Sequence, residues 1–288
     1  MPYQSVFRAD LFAGQTVIVT GSGSGFGRCM AHELAALSAH VILTGRRQDK
    51  LEAVQAEIHE DGGKADIITF DIRDEPSVVA GIATLIERHG PVQGLVNNAG
   101  GQFPAPLSEI SKKGWEAVVS TNLTGGFLVM REVFTQSMRE HGGAVVNIVA
   151  DFWRSMPTMG HSGAARAGMV NLTQTAAVEW ASSGVRVNAV APGWVASSGF
   201  DTYEPAYRAQ MREWQHSVPL RRFGTEAEVS AAVVFLLTPA AAFITGETIR
   251  VDGGVPNVQP NMPPPAHERS QPFEGFHRAV RPKSLDET

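Results

Sequence analysis

The sequence lacks features that define several large classes of protein. It has one cysteine, Cys29, among 288 residues, which excludes a disulfide framework and a cysteine-rich metal site. Charged residues make up 18% of the chain and the net charge is −5, so nothing predicts binding to nucleic acid or anionic membranes. No apolar run reaches the roughly 18–20 residues of a membrane span, and no basic-then-apolar leader is recognisable. We therefore expect neither a nucleic-acid partner nor a membrane partner.

Tyrosine and lysine are also scarce, and their positions matter more than their numbers. No tyrosine lies between Tyr3 and Tyr203, and no lysine lies between Lys113 and Lys283. The central part of the chain therefore lacks the phenol and the amine that many enzymes use to move protons.

What the chain does contain is a regular alternation of two hydrophobic periods. Amphipathic stretches at helical spacing, such as Leu51–Ile58 and Val78–Ile86, separate short β-branched runs. Thr225 followed by Glu228 predicts a capping box at a further helix start. This order predicts a single doubly wound α/β domain with a parallel sheet that is covered on both faces. The predicted strands are Thr16–Thr20, Val41–Thr44, Asp66–Phe70, Gln93–Asn97, Ala144–Val149, Arg186–Val190 and Glu247–Val251.

The composition changes after Gly254. Residues 255–288 hold seven of the 17 prolines and little apolar periodicity, which is typical of an extended tail rather than a second domain. We expect a domain over residues 1–254 and a proline-rich tail over 255–288. Two alternatives stay open for that tail: it lacks order, or Phe273 and Phe276 let it reach a neighbouring subunit.

A glycine-rich turn follows the first predicted strand and precedes a helix expected from about Arg28 to Leu37. Backbone amides and the helix dipole in such a turn attract a pyrophosphate, and glycine permits close approach of the backbone. The alternative is an ordinary Gly/Ser turn without a ligand. The candidate cofactor-binding residues of the turn are Gly21, Ser22, Ser24, Gly25, Phe26 and Gly27.

The end of the second strand bears on the type of dinucleotide. NAD sites usually place a carboxylate there, whereas this segment ends in Arg46 and Arg47. Guanidinium groups pair with a ribose 2′-phosphate through charge-assisted bonds. The alternative is a solvated helix start, but cations oppose the dipole at that end of a helix. The pattern therefore favours NADP(H).

Together these motifs resemble the short-chain dehydrogenase/reductase family over about residues 10–254. The matching segments are Thr20–Gly27, Asn97–Gly100, Asn122, Pro192–Gly193 and Val251–Gly254. The resemblance implies a single Rossmann-type domain with a seven-stranded parallel sheet, a nicotinamide cofactor and a homotetramer.

The resemblance also implies further cofactor contacts and a substrate lid. The lid would run from about Ala196 to Pro219, and its aromatic side chains could cover an apolar ligand. The alternative is an amphipathic helix that merely packs on the domain. The implied contacts are Asp71 and Ile72 at the adenine, Asn98, Ala99 and Gly100 along the cofactor, and Pro192, Gly193 and Val195 beside the nicotinamide.

The sequence departs from the family at the catalytic positions. Carbonyl reduction in the family depends on a serine, a tyrosine and a lysine, and here Ser162 and Arg166 stand in the tyrosine and lysine places. The segment Asn147–Ala150 also lacks the usual serine. Ordinary alcohol dehydrogenation by the standard mechanism is therefore not expected.

The segment His161–Gly168 is similar instead to the trans-2-enoyl-CoA reductases of the family. This likeness favours an NADP-dependent oxidoreductase that reduces the C=C bond of an enoyl-CoA. One alternative is an alcohol/aldehyde dehydrogenase of acyclic terpene breakdown, acting on citronellol or citronellal. Another is a cofactor-binding protein that has lost catalysis. In each enzyme reading the substrate is a small apolar molecule, an acyl-CoA or a terpenoid.

Five side chains are candidates for the acid–base chemistry. Arg166 can hold the nicotinamide ribose but gives up no proton at neutral pH. Asp151 lies fifteen residues before Arg166, and related dienoyl-CoA reductases carry a tyrosine at this spacing before their lysine. Asp151 can act as an acid only if burial raises its pKa. The alternative is an ionised carboxylate that pairs with Arg154. The remaining candidates are His161, which titrates in the useful range, Ser162, a donor in the tyrosine place, and Asn122, which could orient a water.

The last residues, Leu285–Thr288, do not form a peroxisomal tripeptide, so a cytoplasmic location is expected.

Overall fold

The computed structural model describes residues 2–259 and 261–285. One parallel sheet of seven strands in the order β3-β2-β1-β4-β5-β6-β7 confirms the predicted doubly wound fold. The strands are β1 Thr16–Thr20, β2 His40–Gly45, β3 Lys64–Thr69, β4 Gly94–Asn97, β5 Gly143–Ile148, β6 Val185–Pro192 and β7 Thr248–Val251.

Nine α-helices of the described residues connect and cover these strands. A single long helical stretch over residues 112–141 contains three of them, separated by wider π-helical turns at 120–125 and 134–138. The helices are α1 Gly25–Ala36, α2 Gln48–Glu60, α3 Glu75–His89, α4 Lys112–Val119, α5 Gly126–Val133, α6 Arg139–His141, α7 Gly160–Glu179, α8 Pro205–Glu213 and α9 Glu226–Leu237. Within the described part of the chain, no helix combines the length and apolarity needed to cross a membrane.

The burial of β1 shows why the sheet is doubly wound. All five of its residues are buried, so neither face of the strand meets water. Val17 and Val19 pack into one hydrophobic core, whereas Ile18 packs into another on the opposite face. Since strand side chains alternate between faces, the unbroken apolar run can exist only with helices on both sides.

The strand order reverses between β1 and β4, and this places the candidate site. β1 pairs with β2 on one side and with β4 on the other. The crossovers therefore lead to opposite sides at this point and leave a crevice beyond the carboxyl ends of the two strands. The glycine turn after Thr20 and the segment after Asn97 lie at this crevice.

The predicted strands agree with the observed ones to within two residues, but the first helix was placed too late. α1 begins at Gly25, with Ser24 as N-cap, rather than at Arg28. Glycine has low helix propensity, so Gly25 and Gly27 do not indicate in the sequence that the helix has already begun. The capping box of Thr225 and Glu228 is confirmed, with both reciprocal hydrogen bonds present.

The described part of the tail, residues 255–259 and 261–285, packs on its own chain. Phe276 is buried against Tyr3 and His32, and the Gln4 amide donates to the Gly275 carbonyl oxygen at 2.9 Å. The possibility that Phe276 reaches a neighbouring subunit is therefore wrong for this side chain. Residues 286–288, part of the segment on which the targeting argument rests, lie outside the described residues.

Candidate active site

The glycine turn after β1 is shaped by close backbone packing. Gly21 has a φ of +65°, and a Cβ on it would lie 2.9 Å from the Ala99 Cα. A Cβ on Gly27 would lie 2.3 Å from the Gly21 carbonyl oxygen. The Ser24 side chain makes no capping hydrogen bond, so the first amides of α1 keep their donors for an anion. The turn therefore fits a pyrophosphate.

A cavity of about 510 Å³ lies in front of this turn. Thirteen of the predicted cofactor residues line it: Gly21, Ser24, Phe26, Arg46, Arg47, Asp71, Ile72, Asn98, Ala99, Gly100, Arg166, Pro192 and Gly193. Ser22 does not, because it is fully buried with its hydroxyl 3.4 Å from the Thr44 carbonyl oxygen. Gly25 and Gly27 are also absent from the lining, and Val195 lines a different cavity. Ser22 and Val195 therefore do not contact the cofactor cavity, whereas Gly25 and Gly27 belong to the first turn of α1 and can contribute only backbone groups there.

Asn98 joins the ends of β1 and β4 at the base of the cavity. Its side-chain amide donates to the Thr20 carbonyl oxygen at 2.9 Å. The Thr20 hydroxyl oxygen in turn accepts from the backbone amides of Asn98 and Ala99, both at 2.9 Å. These bonds fix the two loops that flank the crevice.

Positive charge is concentrated at one end of the cavity. Arg47 is held by Asp49 in two contacts of 3.1 and 2.5 Å, whereas no hydrogen bond from the Arg46 guanidinium to the described residues is present. Asp71 accepts from the Arg73 side chain at 2.6 Å, and this bond lowers the pKa of the Asp71 carboxyl. Four cations line this end: Arg46, Arg47, Lys50 and Arg73. The sequence did not identify Lys50 and Arg73 as cofactor residues, because no motif indicates that they lie beside the end of the second strand.

A second cavity of about 550 Å³ adjoins the first. Phe26, Gln102, Ala150, Pro192, Gly193 and Gly199 line both cavities. The second cavity is mainly aromatic and thioether in character, with Met156, Met159, Trp194, Phe200, Tyr203, Tyr207, Met211 and Trp214 among its lining residues. The stretch 196–219 thus covers this cavity, as the lid interpretation predicts, and it also packs on the domain through Phe200 and Met211.

The end of the tail holds the lid. The Asp201 carboxylate accepts from the backbone amides of Lys283 at 3.1 Å and Ser284 at 3.0 Å. Arg212 of α8 donates to the Ser284 carbonyl oxygen at 2.8 Å, and Leu285 packs against the lid cluster of Phe200 and its neighbours. The tail therefore touches the element that covers the second cavity.

Asn122 lies in the first π-helical turn and clamps the loop after β4. Its side-chain oxygen accepts from the Gly101 amide, and its side-chain nitrogen donates to the Gly101 carbonyl oxygen, both at 2.9 Å. The same nitrogen is 3.5 Å from the Ser162 hydroxyl oxygen. Asn122 therefore positions the loop after β4, and its role in orienting a water stays a prediction.

Ser162 and His161 are both fully buried and line neither cavity. The Ser162 hydroxyl donates to the Gln102 side-chain oxygen at 2.6 Å. His161 accepts the Ser162 backbone amide on Nδ1 at 2.9 Å, and its ring packs edge-on against Phe103 with centroids 4.6 Å apart. The prediction of His161 as the proton donor is not supported by this position, because a substrate cannot reach it.

Gln102 is a further site residue that no sequence motif indicated. It lines both cavities and stands in front of Ser162, whose hydroxyl fixes the oxygen of the Gln102 amide. The amide nitrogen remains as a hydrogen-bond donor at the junction. The position of Gln102 depends on the path of the loop after Gly100. Hydrophobic periodicity does not predict the path of a loop.

Arg166 lines the cofactor cavity from α7. One guanidinium nitrogen donates to the Ile148 carbonyl oxygen at 2.7 Å, and another would be 2.5 Å from a Cβ on Gly100. Burial lowers the pKa of Arg166 to about 10, so the group stays charged at neutral pH. It supplies positive charge to the site but no proton.

Asp151 lines the second cavity, directly after Ala150, which lines both. One of its carboxylate oxygens is buried and has no hydrogen-bond partner in the described chain. Burial, and after it the charge of Asp252, raises the pKa of Asp151. Arg154 donates to the Val258 carbonyl oxygen and forms no ion pair with Asp151 in the described chain, although its charge and that of Arg250 act to lower the pKa of Asp151. Asp151 therefore has a pKa above that of an ordinary aspartate and lies at the wall of the second cavity.

Comparison with known proteins decides the family. A family model described as enoyl-(acyl carrier protein) reductase matches residues 21–256. A probable 2,4-dienoyl-CoA reductase of Bacillus subtilis (strain 168) is 35% identical over 243 residues, which are 83% of this chain and 96% of that protein. The chain belongs to the short-chain dehydrogenase/reductase family. As a member of this family it is an oxidoreductase that acts on small molecules.

Two solved structures of short-chain dehydrogenases/reductases are similar throughout the domain. A citronellol catabolism dehydrogenase of Pseudomonas aeruginosa PAO1 is 57% identical with a TM-score of 0.80, covering 88% of this chain and 99% of that one. A putative NAD(P)-dependent gluconate 5-dehydrogenase of Beutenbergia cavernae, with bound NADP, is 33% identical with a TM-score of 0.80, covering 87% and 100%. In this chain Gln102 lies where the two cavities meet, Ser162 lies behind it, and Arg166 lines only the cofactor cavity.

Proposed function

We propose that the protein reduces the carbonyl-conjugated C=C bond of an apolar acyl substrate, of the enoyl-CoA type, with NADPH. The observation that carries the proposal is the acid of the second cavity. Asp151, with its raised pKa, lines that cavity, and no lysine of the described chain lines it to activate a phenol. A carboxyl group with a raised pKa is a candidate proton donor to a substrate carbon, while the usual device for a carbonyl oxygen is missing.

The first cavity supports NADP(H) as the cofactor. The amides at the start of α1 and the glycine turn would hold the pyrophosphate, and Arg46 would pair with the 2′-phosphate. The Beutenbergia cavernae relative holds NADP in the same fold. When bound, the nicotinamide supplies the hydride.

Gln102 and Arg166 would stabilise the charge that develops on the substrate. Addition of hydride to the β-carbon puts negative charge on the carbonyl oxygen as an enolate. Gln102 lies where the two cavities meet, its amide nitrogen has no hydrogen-bond partner among the described residues, and the charged Arg166 lies on the cofactor side. Donors fixed before the reaction stabilise such an oxyanion without reorganisation, and Ser162 fixes Gln102 in this way.

Asp151 would complete the reaction by donating its proton to the α-carbon. A carboxyl group with an ordinary pKa is ionised at neutral pH and cannot do so. Burial and Asp252 shift the balance toward the protonated form. The roles of Asp151 and Gln102 then match the two needs of C=C reduction: a proton for carbon and a donor for the oxyanion.

The second cavity favours a long apolar substrate. Its volume of about 550 Å³ lies within the roughly 300–1,000 Å³ of small-molecule sites. Flat aromatic rings of Trp194 and Trp214, with centroids 4.1 Å apart, form one wall. Aliphatic chains bury well against such rings and against thioethers.

A second candidate is favoured by the 57% identity to the citronellol catabolism dehydrogenase. In that case the cavity would take an acyclic terpene alcohol or aldehyde, and the same Asp151 would accept a proton from the hydroxyl. The raised pKa of Asp151 makes it a stronger base once it is ionised. A cofactor-binding protein without catalysis is the third alternative.

We further propose a homotetramer in the cytoplasm. Large apolar side chains remain exposed around α4 and the start of α7, among them Leu107, Trp115 and Trp153. Exposed apolar clusters of this kind often mark contacts between subunits.

Absorbance at 340 nm separates these candidates. Purified protein is mixed with NADPH and a medium-chain trans-2-enoyl-CoA in one series, and with NADP⁺ and citronellol in another. The proposal predicts NADPH consumption in the first series. Turnover in the second series alone would move the assignment to the terpenoid dehydrogenase. Tight NADPH binding without turnover in either would favour the non-catalytic protein.

A further inference from the structure

A cluster of two histidines and one aspartate lies at the opposite end of the sheet from the cofactor cavity. His40 begins β2, Asp66 lies in β3, and His89 ends α3. The three side chains are half-buried, and their ligand-type atoms all lie within 4.8 Å of one another. None of the three lines the cofactor cavity or the substrate cavity.

The fold explains why these three residues converge. Asp66 is the strand partner of Ile42, and His40 lies two residues before Ile42, so the side chains of His40 and Asp66 leave the same face of the sheet. α3 covers this face, because Ile82 and Leu85 pack in one core with Ile42. His89, the last residue of α3, therefore lies beside His40 and Asp66.

The geometry joins two imidazole nitrogens to one carboxylate oxygen. His40 Nε2 is 2.7 Å and His89 Nδ1 is 3.8 Å from the same Asp66 Oδ2, and the two rings meet edge-on with centroids 4.8 Å apart. A tetrahedral ion with bonds of about 2.0–2.1 Å holds its ligands roughly 3.4 Å apart. Small side-chain rotations therefore bring the three atoms to ligand distances.

We propose that His40, Asp66 and His89 form a binding site for a divalent transition-metal ion of the zinc type. Two imidazole nitrogens and one carboxylate oxygen are a common zinc ligand set, and the partial exposure of Asp66 leaves room for a water as fourth ligand. The ion would tie the end of α3 to the β2–β3 edge. Because an ion bound only by the folded chain favours folding, it would stabilise the domain.

The test uses the full chain without an affinity tag, treated with EDTA and then titrated with ZnCl₂ in a calorimeter. We expect saturation at one Zn²⁺ per chain and a higher melting temperature with Zn²⁺ than without it. His89→Asn and Asp66→Asn should each weaken binding at least roughly tenfold, since even outer partners of metal ligands contribute roughly 10–100-fold.

His141→Asn is the matched control, because His141 is exposed and lies outside the cluster. It should bind Zn²⁺ as the wild type does. Thermal melts of the metal-free variants establish that they fold. The proposal is overturned if the wild type shows no saturable binding at one equivalent, or if both ligand variants bind as tightly as the wild type. None of these measurements depends on turnover, so they stand apart from the proposed function.

Discussion

Arg46 and Arg47 are neighbours in sequence, but their guanidinium groups have different surroundings. Asp49 holds Arg47, while Arg46 faces the cofactor cavity near Asp71. Arg46 is therefore the side chain on which the proposed preference for a 2′-phosphate depends. The sequence pattern identified both arginines as cofactor residues. It could not predict which of them pairs with an acid, because side-chain rotamers determine the partners.

Replacing Arg46 with alanine should weaken NADPH binding about 10–100-fold, as expected for loss of a charge-assisted hydrogen bond of roughly 1.5–3 kcal/mol. NADH lacks the 2′-phosphate and serves as the internal control. Fluorescence titration of both cofactors measures the effect. An equal loss of affinity for NADH and NADPH would contradict the assignment.

Gln102 carries a prediction of its own at the junction of the two cavities. Gln102→Leu keeps the approximate size but removes the amide donor, so kcat for enoyl-CoA should fall by roughly 10²–10³-fold. Affinity for NADPH should stay near the wild-type value. Ser162→Ala, which only frees the orientation of Gln102, should have a smaller effect. If Gln102→Leu turned over at the wild-type rate, another donor would have to hold the enolate oxygen.

At the scale of elements, the strands were the most predictable part of the molecule. Unbroken apolar runs such as Thr16–Thr20 correspond to strands that are buried on both faces. A short run of this kind is typical of a central strand in a parallel sheet. The start of α1 was harder, because its glycines are chosen for contact with the turn and not for helix propensity. The π-helical turn that aims Asn122 at Gly101 has no pattern in the sequence.

The packing of α9 on α1 buries an acid that should make stability depend on pH. Glu226, the first residue of α9, lies near Arg28 and Cys29, and burial raises the pKa of its carboxyl from 4.5 to about 7. Between these two values the unfolded chain releases the proton while the folded chain keeps it. The free energy of unfolding should therefore fall as pH rises from about 4.5 to 7, by on the order of 3 kcal/mol.

Glu226→Gln removes this titration while it keeps the shape of the side chain. Urea unfolding at pH 5 and pH 8 should show a smaller loss of stability in the variant than in the wild type. Glu226→Gln should also be the more stable protein at pH 8. Equal pH dependence in the two proteins would show that Glu226 is not the responsible group.

At the scale of the whole molecule, the tail connects distant parts of the domain. Arg278 pairs with Asp61 at the end of α2, whereas Lys283 and Ser284 hold Asp201 in the lid. The sequence indicated an extended tail from its prolines but gave no sign of where it lies. Its path depends on single ion pairs and on Phe276, which periodicity cannot assign.

Asp201→Ala removes both of these backbone hydrogen bonds from the lid. Among the lining residues of the lid, Gly199 alone also lines the first cavity, so KM for the substrate should rise several-fold while the Kd for NADPH changes little. Steady-state kinetics and cofactor titration measure the two quantities. A variant with unchanged KM would show that the tail does not help to hold the lid.

The proposed reduction depends, at the scale of the whole molecule, on a proton held by Asp151. If Asp151 is the acid, the wild-type rate falls as pH rises through its raised pKa, because the ionised carboxylate has no proton to give.

The most direct measurement is the rate of NADPH oxidation at 340 nm with a medium-chain trans-2-enoyl-CoA. It is made for the wild type and for Asp151→Asn at a series of acidic to alkaline pH values. We predict that Asp151→Asn loses roughly 10²–10⁴-fold in turnover and keeps its affinity for NADPH. Turnover by Asp151→Asn at the wild-type rate, with the same pH profile, would contradict the account.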